Sequence, residues 1–368
     1  MHLHKDVGKL HKKYGDVFRL GPTEFSVNKP GAISAVFLDK DCMKGPWYNF
    51  LHLMVSMQMV RDKQAHSKRR KPLRDNEPRV LKYINQLLAG IEASAGTKFN
   101  VSLWFNFYSF DVMGKFSFGH GFRMLEDGVA HFYMDALHEE TKAVGRFTDA
   151  VWALPLYRKM GIFNAGVRKF KIWITEQVQQ RIQNKPESPD IFTWVLEDYE
   201  NKKEHSSQDM LNLYGDCSLI SVTGSHTQEY KKLQEEVDEY FQHHKKPEHV
   251  TLSKLRYLQA CNDEALRLYP PVPSGVQRMT PPEGLQVDDV WLPGDTIVFV
   301  PSYTQFRGHD VCIGKQLGLL EIRFVTSTIV PKYILEYAKG QTRERFIKGS
   351  KDTGTLTVAP LNVVFTPR

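Results

Sequence analysis

The stretch Glu264-Ala265-Leu266-Arg267-Leu268-Tyr269-Pro270-Pro271-Val272-Pro273 marks the change of texture that decides the fold. Residues three apart on a helix share a face, so Glu264 and Arg267 are placed to pair. Leu258, Cys261, Ala265, Leu266 and Leu268 flank them, apolar almost all round, so the helix is expected to be buried. A buried ion pair would then need a further hydrogen-bonding partner. The other reading is a solvated surface pair of the kind common on any helix. Proline lacks an N–H and clashes with the preceding turn, so Pro270 and Pro271 end the helix.

Upstream, residues 64–270 read as mainly helical. Val80, Ile84, Leu87, Leu88 and Ile91 recur at helical spacing, as do Phe105, Tyr108, Val112 and Phe116. Val167, Phe170, Ile174, Val178 and Ile182 form a third stripe, and each stripe reads first as core. Polar stretches at 184–190 and 200–208 are expected to be loops. Before them, Val17-Phe18-Arg19-Leu20 and Phe25-Ser26-Val27 flank Gly21-Pro22 as a hairpin. Downstream, prolines bound short strands such as Thr296-Ile297-Val298-Phe299-Val300. A helix runs through 316–323, and a last hairpin is expected from Gly354–Val358 and Leu361–Phe365 around Ala359-Pro360. The fold class is mainly α with a minor β region.

The 368 residues are 41% hydrophobic and 25% charged, which supplies a large core. The net charge of +7 suits an acidic electron donor or a membrane surface as well as a mildly basic soluble face. Cys42, Cys217, Cys261 and Cys312 are scattered without a CxxC pair, which argues against a disulfide framework or structural zinc and for a reducing compartment. No run of about 18 apolar residues occurs. A membrane anchor, if the protein uses one, is expected to lie outside this sequence.

Cys312-Ile313-Gly314-Lys315 directly precedes the apolar helix. Backbone N–H groups and the positive end of a helix dipole stabilise a thiolate there. A thiolate is the donor a haem iron needs to push electron density toward O–O cleavage, and Gly314 would let the backbone approach a flat macrocycle. Taken alone, Cys-x-Gly before a helix suits a buried structural cysteine better.

In order, the Glu-x-x-Arg helix, Leu-Tyr-Pro-Pro-Val-Pro and Cys-x-Gly opening a helix resemble a cytochrome P450. The segments at 13–22 (Lys-Tyr-Gly-Asp-Val-Phe-Arg-Leu-Gly-Pro), 44–48 (Lys-Gly-Pro-Trp-Tyr) and 104–114 resemble the fungal microsomal branch. The likeness covers nearly the whole chain. It implies one P450-like domain over 1–368, with a β-rich part (1–63), a helical part (64–270) and a mixed part (271–368) carrying the ligand cysteine.

The resemblance also implies roles. Cys312 is the metal ligand of haem b, and Gly314 lies against the cofactor. His66, Arg70 and Arg278 bind the haem propionates, where charge-assisted hydrogen bonds are needed; His66 and Arg70 read otherwise as part of a solvated basic run. Thr223-Gly224-Ser225-His226-Thr227 matches the oxygen-activating segment, with Thr227 retained and His226 where the family carries an acid. Val272, Pro273, Ser274, Thr353 and Thr355 are expected to touch an apolar substrate. The implied partners are O2 and an NADPH-dependent reductase, on the cytosolic face of the endoplasmic reticulum, in secondary metabolism.

Four departures accompany the likeness. The central helix breaks off after Thr227; Pro72 cuts short the helix carrying His66 and Arg70; only Gly308-His309-Asp310-Val311 separate Arg307 from Cys312; and the anchor is not in the sequence. Asp310 stands where the family has a basic residue and would repel a thiolate and a propionate alike. Arg267 is expected to lose its third partner and become a poorly satisfied buried charge. Two readings therefore stand: a haem-thiolate monooxygenase, and a non-catalytic remnant that binds haem weakly or not at all. A helical protein-binding scaffold unrelated to haem is a third.

Overall fold

The computed structural model describes residues 3–39, 42–51, 61, 77–146, 165–183, 231–268, 270, 272–305, 315–352 and 356–368. The helices in chain order are α1 (Leu3–Tyr14), α2 (Glu77–Ala93), α3 (Val101–Phe118), α4 (Met124–Asp127), α5 (Phe132–Arg146) and α6 (Ala165–Gln183). They continue as α7 (Lys231–His243), α8 (His249–Leu252), α9 (Arg256–Leu268), α10 (Ser302–Gln305), α11 (Lys315–Ile329) and α12 (Arg343–Gly349).

Helical periodicity translates directly into the core. Val80, Ile84, Leu87, Leu88 and Ile91 of α2 are all buried, as are Tyr108, Val112 and Phe116 of α3, with Phe105 half-buried beside them. Ile174 and Val178 of α6 join the same cluster. Each fully buried side chain of this size contributes about 1.5–3 kcal/mol, more than intrinsic propensity supplies over a whole turn. Helix α3 starts where the Asn100 side chain accepts the Leu103 N–H at 3.2 Å, and it ends where Gly119 turns left-handed at φ 80°.

The strands are short. β1 (Val17–Gly21) and β2 (Glu24–Val27) form the expected hairpin, paired from Val17–Val27. They belong to a five-stranded sheet with β3 (Met43–Lys44), β5 (Gln277–Met279) and β8 (Ile297–Phe299), in the order β1-β2-β8-β5-β3. β6 (Leu285–Val287) pairs with β7 (Val290–Leu292). A second core lies on this side of the molecule, around Val27, Ile33, Val36, Val287, Leu292, Val298 and Val300.

Three expectations are corrected. The opening of the chain is not purely β-rich, because α1 precedes β1 and buries His4, Val7 and His11. His11 Nδ1 donates to the Gly15 carbonyl at 2.9 Å and its Nε2 lies 2.8 Å from Ser26 Oγ, which lets an imidazole fill an apolar position. The C-terminal segments do not pair with each other. β10 (Lys351–Asp352) pairs with β11 (Leu356–Thr357), while β12 (Asn362–Pro367) lies between β4 (Lys98–Asn100) and β9 (Tyr333–Tyr337). Val363 and Phe365 alternate into the main core there, a burial that a local hairpin would not have offered.

The third correction concerns α9. Its apolar face is Leu258, Cys261 and Ala265, all buried, whereas the Glu264 and Arg267 side chains are 48% and 38% exposed. The helix is amphipathic, and the Glu264–Arg267 pair lies on its solvated side. Arg267 is therefore not an unsatisfied buried charge; its Nε and Nη2 each reach a Glu264 carboxylate oxygen at 2.5 Å.

The chain leaves the Pro273-Ser274 turn through Gly275, at φ 81° and with a Cβ position 2.2 Å from the Val300 carbonyl oxygen. Both the left-handed backbone and the close strand require glycine. Gly275→Ala is expected to lower the unfolding free energy by at least about 1–3 kcal/mol in urea denaturation. An unchanged midpoint would show that the turn relaxes without cost.

Candidate active site

The predicted site residues fall into two groups. Arg278, Glu264, Arg267, Val272, Pro273 and Ser274 are described; His66, Arg70, His226, Thr227, Cys312, Gly314, Thr353 and Thr355 lie outside the described residues. The geometry around the first group shows what the fold prepares.

Arg278 is the central residue of β5. It stands opposite Val298 of β8 on one side and opposite Lys44 of β3 on the other. Its guanidinium lies 5.2 Å from the centre of the Phe37 ring, and its Nε is buried without a hydrogen-bond partner among the described residues. Burial pulls its pKa down, and the nearby Tyr48 and Cys42 push it partly back up. A buried guanidinium edge with an open donor fits a carboxylate such as a haem propionate.

The neighbouring residue builds the wall beside it. Gln277 receives the Gly45 N–H on its backbone carbonyl at 3.1 Å and the Trp47 N–H on its side-chain oxygen at 2.7 Å. Those two bonds lock the turn Lys44-Gly45-Pro46-Trp47-Tyr48 onto β5. A Cβ on Gly45 would stand 2.3 Å from that same side-chain oxygen, so the turn closes only around glycine. Tyr48 is consequently buried at the strand edge, where burial raises its phenol pKa and Arg278 counteracts the rise. Lys44 Nζ lies 5.8 Å from the Tyr48 ring centre. Sequence reading had assigned Tyr48, Lys44 and Gln277 no role; a like-charge cross-strand pair becomes visible only with the register in hand.

The loop predicted to meet substrate is tied down from an unexpected direction. Ser274 Oγ donates a short hydrogen bond to Asp352 Oδ2, and His4 Nδ1 sits 3.2 Å from the same oxygen. The Pro273 carbonyl accepts the Tyr303 N–H at 3.0 Å. The structure thus brings Ser274 against Asp352, the neighbour in sequence of Thr353, and joins two segments that the sequence could only name separately.

Helix α11 follows Cys312 in the chain. It is clamped to α9 and α8 through Arg323, whose Nη2 donates to Gln259 Oε1 at 2.5 Å and whose Nη1 lies 3.3 Å from His249 Nε2. Burial lowers the His249 pKa, with Arg323 adding to the shift, which keeps the imidazole neutral as an acceptor. The start of α9 is held by Glu236, whose carboxylate oxygens accept the Tyr257 and Leu258 N–H groups at 2.9 and 2.7 Å. Two residues before Arg323 on α11, Glu321 is completely enclosed, with an oxygen lacking any hydrogen bond among the described residues, and desolvation pushes its pKa up to about 8. Tyr108, also buried, faces it, and its pKa rises well above the usual value.

Comparison with known proteins decides the family. The profile described as Cytochrome P450 matches residues 1–227 and 223–311. The chain belongs to the cytochrome P450 family. It is 41% identical to Cytochrome P450 monooxygenase FCK2 of Fusarium pseudograminearum, over all of this chain and 77% of that protein. It is 29% identical to Tryprostatin B 6-hydroxylase of Aspergillus fumigatus, over 98% of this chain and 75% of that protein. The crystal structure of the cytochrome P450DA heme domain superposes with a TM-score of 0.77 at 14% identity, covering 99% of this chain and 93% of that one, which shows the fold. This P450 is thus a P450-type oxidoreductase with fungal relatives. The alignment to the Fusarium protein spans 426 positions against 368 residues, so tens of that relative's positions have no counterpart here.

Glu321 yields a pH signature of this P450. Its carboxyl titrates near 8 when folded and near 4.5 when free, so above about 4.5 the folded state holds a proton that the unfolded state has released. Stability is lost as pH rises from about 4.5 to 8, with a slope of up to about 1.4 kcal/mol per pH unit. Glu321→Gln is expected to gain on the wild type steadily between pH 5 and 8 in urea denaturation. A constant difference across that window would show that Glu321 is ionised in the native protein.

Proposed function

We propose that the chain is a haem-thiolate monooxygenase that inserts one oxygen atom of O2 into an apolar organic substrate, with Cys312 as the iron ligand. The observation that carries this reading is Arg278: a cation held out of water on β5 with an open donor, at the position where the family binds a propionate. Haem b, when bound, supplies the activation of dioxygen.

The chain's own residues have separable tasks in this reading. Cys312 presents a thiolate at the start of the segment leading into α11, where backbone N–H groups favour the anion. Arg278, with His66 and Arg70, holds the propionates, and Gly314 leaves room for the ring. Thr227 holds a proton on the oxygen-binding side, and His226, a group that titrates near neutrality, replaces the family's acid as its source. Val272, Pro273 and Ser274 face the substrate together with Thr353 and Thr355; the Ser274–Asp352 bond supports that arrangement by joining the two segments. Glu264 and Arg267 keep a structural role on α9, as a solvent-side pair that lowers the Glu264 pKa. Electrons come from an NADPH-dependent reductase that docks on the basic surface. The setting is the cytosolic face of the endoplasmic reticulum; among the described residues no helix is long and apolar enough to cross a membrane.

A second reading, a non-catalytic relative that holds haem weakly or not at all, draws support from the positions of the Fusarium protein that have no counterpart here. One spectrum separates the two. Purified protein supplied with hemin, reduced and exposed to carbon monoxide, is expected to show the thiolate-type Soret maximum in stoichiometric amount, and Cys312→Ser to abolish that maximum. Folded protein without the signal would establish the second reading.

A further inference from the structure

Asp352 is a buried carboxylate that ties three distant segments together. Its Oδ2 accepts the Ser274 hydroxyl and, at 3.2 Å, His4 Nδ1. Ser274 lies 78 residues away in sequence and His4 lies 348 away. A carboxylate out of water is unfavourable unless donors complete it, so both donors are held to the position of one oxygen. The order of the groups separates this cluster from a nucleophile triad. The carboxylate, not the imidazole, meets the serine, so His4 is not placed to take the hydroxyl proton.

His4 reaches the same turn by a second route. Its ring stands edge-on to Tyr303, with centres 4.7 Å apart, and the Tyr303 N–H donates to the Pro273 carbonyl at 3.0 Å. A Cβ on Gly8 would lie 3.7 Å from Thr304 Oγ1, so α1 packs directly against α10. The turn itself closes where the Gly275 N–H donates to the Val272 carbonyl at 3.2 Å. Asp352 is anchored independently. It pairs with Leu356 across β10 and β11, while the neighbouring Ser350 hydroxyl donates to the Phe346 carbonyl at 2.8 Å and accepts the Ala359 N–H at 3.1 Å. A firm base on one side and a packed helix on the other leave Ser274 little freedom.

We propose that His4 and Asp352 are positioning residues, through which helix α1 sets the shape of the substrate-facing wall at Val272-Pro273-Ser274. The proposal rests on the haem-thiolate reading, in which that wall meets an apolar substrate, and extends it to a helix at the far end of the chain. His4 acts on the wall only through other groups: by hydrogen bonding through Asp352, and by packing through Tyr303. Polar contacts are directional, so loss of the imidazole frees the orientation of Ser274 as well as its distance from β10.

Two measurements on the full chain test this, with His4→Ala, Ser274→Ala and His4→Asn, whose amide can replace the Nδ1 donor. The first is hydrogen exchange followed by mass spectrometry, without added hemin. His4→Ala is expected to speed exchange at Gly275 and Tyr303 as well as in α1, and to leave α2 unchanged. Acceleration confined to α1 would overturn the clamp. The second uses hemin-loaded protein and the spectral titration of two iron-binding probes, imidazole and the bulkier 4-phenylimidazole. His4→Ala and Ser274→Ala are each expected to weaken 4-phenylimidazole relative to imidazole about three- to tenfold, the worth of one hydrogen bond, and His4→Asn to restore the wild-type ratio. Because the readout is a ratio, a variant that folds incompletely loses both probes alike and does not imitate the effect. An unchanged ratio overturns the inference and leaves the haem-thiolate reading standing. Wild-type protein that binds neither probe overturns that reading and the wall with it, while the exchange result still decides the clamp.

Discussion

Everything near the site depends on β5 being hydrogen-bonded along both edges, to β8 and to β3. A residue at the centre of such a strand cannot retreat from its position without breaking ladder bonds, so the Arg278 guanidinium stays where the sheet puts it. Burying a cation with an open donor is unfavourable unless an anion completes it. Sheet pairing on two sides, the Gln277 contacts to the Gly45–Trp47 turn and the left-handed Gly275 at the strand's approach together impose that unfavourable state. The fold holds a charge ready, and a carboxylate of the cofactor is the natural complement.

The helical side is organised by a different device. Helices α9 and α11 share the main core through Leu258, Cys261, Leu320, Phe324 and Val325, and Arg323 of α11 adds polar contacts to Gln259 of α9 and His249 of α8. Polar contacts of this kind are directional, so they fix the rotation of α11 about its axis as well as its distance from α9. Glu321 marks the opposite strategy two residues earlier: a carboxyl enclosed without an ionic partner among the described residues, its proton favoured by desolvation.

How much of this was legible in the sequence follows from range. The stripes of α2 and α3 were, because Val80, Ile84, Leu87 and Ile91 repeat at 3.6 residues and local period suffices. Helix α1 escaped notice because His4 and His11 occupy its inward positions, and imidazoles count as apolar only once their hydrogen bonds are known. The C-terminal hairpin was misjudged because β12 finds better partners in β4 and β9, far away in sequence. On α9 the error was one of phase. Leu258, Cys261 and Ala265 fall at i, i+3 and i+7, which leaves Asp263, Glu264 and Arg267 on the outer face, so counting apolar neighbours overstated burial. The candidate site was legible in part: Arg278 was singled out by resemblance, whereas its neighbours Lys44 and Tyr48 required the strand register.

The breaks in family likeness and the intact cation face bear on different physical tasks. The two matched stretches of the family profile overlap at 223–227 and end at 311, which is where the sequence departs after Thr227 and just ahead of Cys312. On the haem-thiolate reading, oxygen handling and sulfur presentation are the tasks of those segments. The surroundings of Arg278, in contrast, are assembled from β3, β5 and the turn between Lys44 and Tyr48, all held by sheet bonds and by Gln277. On the haem-thiolate reading, holding a macrocycle by its acidic edge and ligating its iron would be carried by separate parts of the chain. The bonds that fix Arg278 run through β3, β5, β8 and the Gln277 contacts to the Gly45–Trp47 turn.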